Sequence, residues 1–124
     1  MTDAPKKPER TSGIAHFFAA LSYSQAGIRR LWQEAAFRQE VAGGVLALIV
    51  LIAFGATVPH IVGFVILWLV LAVVETLNTA LEVLVDHLSP EWSVFARDTK
   101  DLGSLAVAFM IGANTLYVLW VILI

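Results

Sequence analysis

Three long apolar stretches constrain this chain more than any other feature. They are VAGGVLALIVLIAFGATV over residues 41–58, a stretch opening with IVGFVILWLVLAVV at Ile61, and GSLAVAFMIGANTLYVLWVILI over residues 103–124. At 1.5 Å per residue the first covers roughly 27 Å, close to the roughly 30 Å thickness of a bilayer's hydrocarbon core. A bilayer offers no water to backbone N–H and C=O groups, so such stretches satisfy them internally as helices. Hydrophobic residues make up 59% of the chain and charged residues 15%, where a soluble domain carries about 25% charged. The reading is an all-α integral membrane protein, with spans over about 36–58, 61–86 and 101–124. The pair Pro59-His60 marks a short turn between the first two.

The basic residues predict an orientation. Lys6, Lys7, Arg10, Arg29, Arg30 and Arg38 precede the first span, Arg97 and Lys100 lie between the second and third, and the 59–60 turn has none. Cytoplasmic loops carry the excess of Lys and Arg, which places the N-terminus and the 86–102 loop in the cytoplasm and the C-terminus outside. Tyr117 and Trp120 then fall at the far interface, where an aromatic belt is expected.

Ahead of the spans, Ile14, Phe17, Phe18, Leu21, Ile28, Leu31 and Trp32 follow helical spacing, with Ser12 placed as an N-cap. This predicts an amphipathic helix over about 12–34 lying on the cytoplasmic membrane surface, its arginines towards anionic headgroups. Residues 1–11 read as a disordered, charged cytoplasmic lead-in without the early apolar core of a secretory signal peptide. The chain has no cysteine, which excludes disulfides, thiolate-bound zinc and thiol nucleophiles.

The second span carries acids. In LAVVETLNTALEVLVDHL (71–88), Glu75 and Glu82 lie within about 20° of each other on a helix, Asp86 about 20° to the other side, and Asn78 about 60° off. A carboxylate facing lipid there costs several kcal/mol, so such groups face protein or a wet cavity. Asn78 alone reads equally well as interhelical glue. The carboxylate pair points to chemistry. A buried acid suits a general base. A second, nearer water, suits a hard divalent cation bridged to phosphate. Glu34 can reach the same level, and Lys100 can offset phosphate charge. Phosphoryl transfer needs chiefly such positioning and neutralisation. The glycine-rich nucleotide loops of soluble kinases are absent from the sequence.

The segments EAAFRQE (34–40), VETLNTALE (74–82), Asp86 and KDLGSLAV (100–107) resemble the prokaryotic diacylglycerol kinases, over about residues 13–124. The resemblance implies a homotrimeric helical bundle in the bacterial inner membrane, with composite sites between subunits. It implies transfer of phosphate from ATP, with Mg²⁺, to the free hydroxyl of diacylglycerol, and no nucleic-acid partner. By the same resemblance Glu75 is the general base, and Glu34 and Glu82 hold the metal on ATP. Tyr23, Glu91, Trp92, Ser93, Lys100 and Asp101 match positions near the nucleotide. Ala36, Phe37, Arg38, Gln39, Glu40 and Ser104 match positions near the lipid, and Asn78 supports Glu75. Two departures stand out. GIRRLWQE before Glu34 is one residue shorter than the family spacing, and His16 or Ala15 stands where the family has an arginine.

Two alternatives remain at this stage. Relatives of this family phosphorylate undecaprenol instead. A non-catalytic pore or assembly protein would line its interior with the same acids. Oligomerisation would cover the polar stripe. The small residues Ser104, Ala108, Gly112 and Thr115 on the third span suit either a second subunit or packing within the chain.

Overall fold

The computed structural model describes residues 4–124. It contains four helices: α1 (Gly13–Leu31), α2 (Ala35–Ala53), α3 (Val58–Leu88) and α4 (Val94–Leu123). Among the described residues there is no strand. Helices α2, α3 and α4 are each long and apolar enough to cross a membrane. Of the lead-in expected over residues 1–11, residues 1–3 lie outside the described residues, and residues 4–11 are exposed without regular structure.

The chain divides into two units, residues 1–33 and residues 34–124. The first holds α1. Its Ile14, Phe17, Phe18, Leu21 and Ile28 are all exposed, and Leu31 is buried. Phe17 and Phe18 meet edge to face at 5.8 Å. Arg29 and Arg30 occupy the last turn, where cations suit the negative end of the helix dipole. Ser12 takes the N-cap position but makes no capping hydrogen bond.

The second unit is a bundle in which α3 packs chiefly on α4, with α2 against both. Two boundaries differ from the sequence expectation. The turn expected at Pro59-His60 lies earlier, at residues 54–57, where Gly55 takes a positive φ of 77° that glycine adopts without a Cβ penalty. Thr57 then takes the N-cap position of α3 without a capping hydrogen bond, and Pro59 falls in its first turn, where a missing N–H costs nothing. The 86–102 loop shrinks likewise. Ser93 caps α4, its Oγ accepting from the Ala96 N–H at 3.1 Å, so Lys100, Asp101 and Ser104 stand on a helix.

Four joints hold α3 between its neighbours. Near the start of α3, the Tyr117 hydroxyl donates to the His60 carbonyl at 2.8 Å, and Gly63 leaves room for that phenol. His60 is itself half-buried in the first turn of α3, bonded to Thr57 and edge-on to Trp120. Further along, the Asn114 amide donates to the carbonyls of Leu67 on α3 and Met110 on its own helix, at 3.2 and 2.8 Å. Such interhelical bonds contribute about 0.6–2 kcal/mol in a bilayer. On the α2 side, Trp68 Nε1 donates to the Glu40 carbonyl at 3.2 Å, and its indole fills the space a side chain on Gly44 would need. Lower down, Asn78 Oδ1 lies against Gly103 in the same way. These are the positions where the helices need glycine.

The small-residue stripe of α4 plays no part in this packing. Ser104, Ala108, Gly112 and Thr115 are exposed, and a Cβ on Gly112 would meet open space. Of the two readings of that stripe, packing within the chain is excluded.

Two stability outcomes follow. Gly44→Val forces a branched side chain into the Trp68 ring and should lower the stability of the protein in detergent by about 1–3 kcal/mol; Trp68→Leu in the same chain should recover part of it. Tyr117→Phe removes one interhelical hydrogen bond and should cost about 0.5–1.5 kcal/mol. Equilibrium unfolding in mixed micelles reads both.

Candidate active site

The inner face of α3 carries Phe64 and Leu71, then Glu75, Thr79 and Val85, all buried. A seven-residue apolar spacing thus runs into a polar one without leaving the face that packs on α2 and α4. Glu75 is 3% exposed. It stands seventeen residues on from Val58, roughly 26 Å along the axis of a helix long enough to cross a bilayer.

Three more acids gather round it. The Glu40 carboxyl lies beside that of Glu75, and Glu82 and Glu34 both lie within electrostatic reach. They come from two elements. Glu34 precedes α2 as its N-cap residue, Glu40 sits in its second turn, and Glu82 is two helical turns along α3 from Glu75. The sequence reading placed Glu40 with the lipid residues; the structure puts it directly against the acid assigned as base. Glu40 Oε2 and Asn78 Oδ1 are buried without a hydrogen-bond partner among the described residues. Asn78 is on hand one turn from Glu75, its oxygen occupying the space that a Cβ on Gly103 would need.

Beyond Glu82 the site becomes wet. Lys100 pairs with Asp86 at 2.6 Å, with both side chains largely exposed, and Glu82 also acts on Lys100. A shallow hollow of about 300 Å³ opens here, between Asp86, Glu91, Trp92, Arg97, Lys100 and Asp101. Ser93 is committed to capping α4 and to a 2.8 Å bond with Ser89. Its match to a nucleotide position therefore coincides with a structural task. Trp92 is 77% exposed.

The lipid-side residues occupy the start of α2: Ala36, Arg38 and Gln39 are exposed and Phe37 half-buried. Ser104 is exposed on α4 and Tyr23 on α1, the latter in the N-terminal unit. The structure thus brings Glu34, Glu40, Glu75 and Glu82 together, and separately Asp86, Glu91, Trp92, Lys100 and Asp101. Sequence reasoning missed three residues. Thr79, one helical turn past Glu75, is buried on the same face, and its spacing of four was the available signal. Asn114 is 8% exposed in the middle of an apolar helix, where an isolated amide is itself a signal. The third is Trp68, whose indole bonds to the backbone of α2.

Among the described residues no three His, Cys, Asp or Glu side chains converge as a metal cage. A magnesium ion bound with phosphates needs no cage: one or two carboxylates, waters and phosphate oxygens complete it. Glu34 and Glu82, the first half-buried before α2 and the second half-buried on α3, are oxygen donors of the right kind on the wet side of Glu75.

A model of the prokaryotic diacylglycerol kinase family matches residues 22–123. A diacylglycerol kinase of Sinorhizobium sp is 44% identical over 115 residues, covering 93% of this chain and 84% of its own. That of Escherichia coli strain K12 is 37% identical over 117 residues, covering 92% and 93%. That of Helicobacter pylori strain J99 is 34% identical over 105 residues, covering 82% and 80%. With four helices, three of membrane-spanning length, and acids gathered where α2 meets the polar half of α3, the chain belongs to the prokaryotic diacylglycerol kinase family.

Proposed function

We propose that the protein transfers the γ-phosphoryl group of ATP to the free hydroxyl of diacylglycerol, giving phosphatidate and ADP. The observation that carries this reading is Glu75: a carboxylate 3% exposed, with three acids around it. A structural role explains one buried acid poorly, and the three half-buried acids near it add repulsion to its desolvation. Membership of the family supports the reaction type.

In this mechanism the diacylglycerol hydroxyl meets Glu75 from the apolar side. The Glu75 carboxylate takes the hydroxyl proton as the lipid oxygen attacks the γ-phosphorus. The bond to the β-phosphate oxygen breaks, ADP leaves, and Glu75 returns its proton to water. Asn78, one helical turn on, supports Glu75. Glu34 and Glu82 would hold Mg²⁺ with the nucleotide; bound there, the ion neutralises charge on the phosphates. Lys100 adds a positive charge on the same side, steadied by Asp86. Glu91, Trp92 and Asp101 line the hollow beside it and take the nucleoside, with Ser93 shaping the loop. Ala36, Phe37, Arg38, Gln39, Glu40 and Ser104 receive the glycerol end of the lipid.

The uncovered small-residue stripe of α4 supports assembly into a homotrimer, in which a neighbouring subunit completes the site. The basic residues support a bacterial inner-membrane protein with its N-terminus in the cytoplasm and its C-terminus in the periplasm.

Purified protein given radiolabelled ATP, Mg²⁺ and dioleoylglycerol should yield labelled phosphatidate. Glu75→Gln keeps the shape and removes the base; turnover should fall about 10²-fold or more, while nucleotide binding and the unfolding midpoint hold. Unchanged turnover would remove Glu75 from the chemistry. Glu82→Gln should instead raise the Mg²⁺ concentration needed for half-maximal rate several-fold, measured by magnesium titration at fixed ATP.

A further inference from the structure

A groove of about 470 Å³ runs between α2, α3 and α4. At one end it is lined by Ala36, Gln39 and Glu40, and the Glu40 carboxyl lies beside Glu75. From there it follows α4 between Val107 and Leu119, twelve residues or roughly 18 Å of helix. Its walls are otherwise mostly apolar. An apolar groove of that length, opening at its Glu40 end beside Glu75, has the form that a single hydrocarbon chain fills.

Trp68 stands in this groove, and it is fixed from two sides. Its Nε1 is bonded to the Glu40 carbonyl, and the ring lies where Gly44 has no side chain. Swinging aside would break the first contact and give up the second. Close-packed interiors do not yield such room freely. The groove therefore has a set width just beyond its Glu40 end.

We propose that the groove takes one chain of the acceptor lipid, and that Trp68 is a specificity-determining residue which admits an unbranched acyl chain and turns away a polyprenyl chain. The inference rests on the lipid-kinase reading above and narrows its acceptor. A lipid whose hydroxyl reaches Glu75 sends its chain into the groove that opens beside Glu40. An acyl chain is slender along its whole length. A polyprenol carries a methyl branch in every isoprene unit, and those branches need the space the indole occupies.

The test compares dioleoylglycerol with undecaprenol as acceptors for the full-length protein, its Trp68→Leu variant and its Trp68→Phe variant. The native protein should favour dioleoylglycerol in kcat/KM by roughly tenfold or more, the scale on which apolar pockets discriminate by a methyl group. Trp68→Leu should lower that ratio at least threefold by raising undecaprenol turnover, and Trp68→Phe should keep most of it. A ratio unmoved in a Trp68→Leu protein that still phosphorylates dioleoylglycerol overturns the assignment and leaves the kinase reading standing. A native protein that phosphorylates neither alcohol overturns the kinase reading instead. The groove is then judged without turnover, and the same readout serves if Trp68→Leu does not fold. With Trp32, Trp92 and Trp120 changed to Phe, a trace of diacylglycerol brominated on its acyl chain should quench Trp68 emission saturably, beyond the quenching by brominated phosphatidylcholine. Equal quenching by the two lipids overturns the groove.

Discussion

The structure depends on the cost of placing Glu75 inside an apolar helix. A carboxylate facing lipid costs several kcal/mol, and this one is buried against protein. That requirement sets which face of α3 points inward, and the apolar residues Phe64, Leu71 and Val85 share the face. The helices that cover it must come close, which is why Gly44 and Gly103 stand where Trp68 and Asn78 press on them. Packing and chemistry therefore use one seam. Its apolar half holds α4 and α2 to α3, and its polar half collects the acids.

The seam also accounts for the division of labour along the chain. Near the start of α3 the joints are aromatic and amide contacts: Tyr117 with His60, Asn114 with Leu67. They carry no charge. At the other end come Glu75 and its acidic neighbours, then the exposed Lys100–Asp86 pair. An exposed pair of that kind adds little stability. A lipid alcohol and a nucleotide would meet between these two environments, each arriving from the medium that dissolves it.

Much of this was legible in the sequence, because the bilayer allows few folds. Length and composition were enough for the three spans, and the seven-residue spacing of Glu75 and Glu82 put them on one face. What escaped reading was local. Pro59 and His60 look like a turn, yet proline suits a first helical turn as well, and only the placement of Gly55 at positive φ decides between them. Lys100 looked like a loop residue because the FARDTKD segment is too polar for a span; the Ser93 cap extends the helix over it. Glu40 against Glu75, and Trp68 against Gly44, depend on how α2 lies on α3, and no spacing along one helix reports that.

The most direct test is the environment of position 75 itself. The chain has no cysteine, so Glu75→Cys carries a spin label at one site, and its collision rates with oxygen and with a water-soluble nickel chelate report its surroundings. The account predicts low oxygen accessibility at 75 compared with the exposed positions Val73 and Leu77, together with measurable access for the water-soluble reagent. Oxygen accessibility at 75 equal to that at 73 and 77, with no access for the chelate, would put this side chain among the acyl tails and contradict the account.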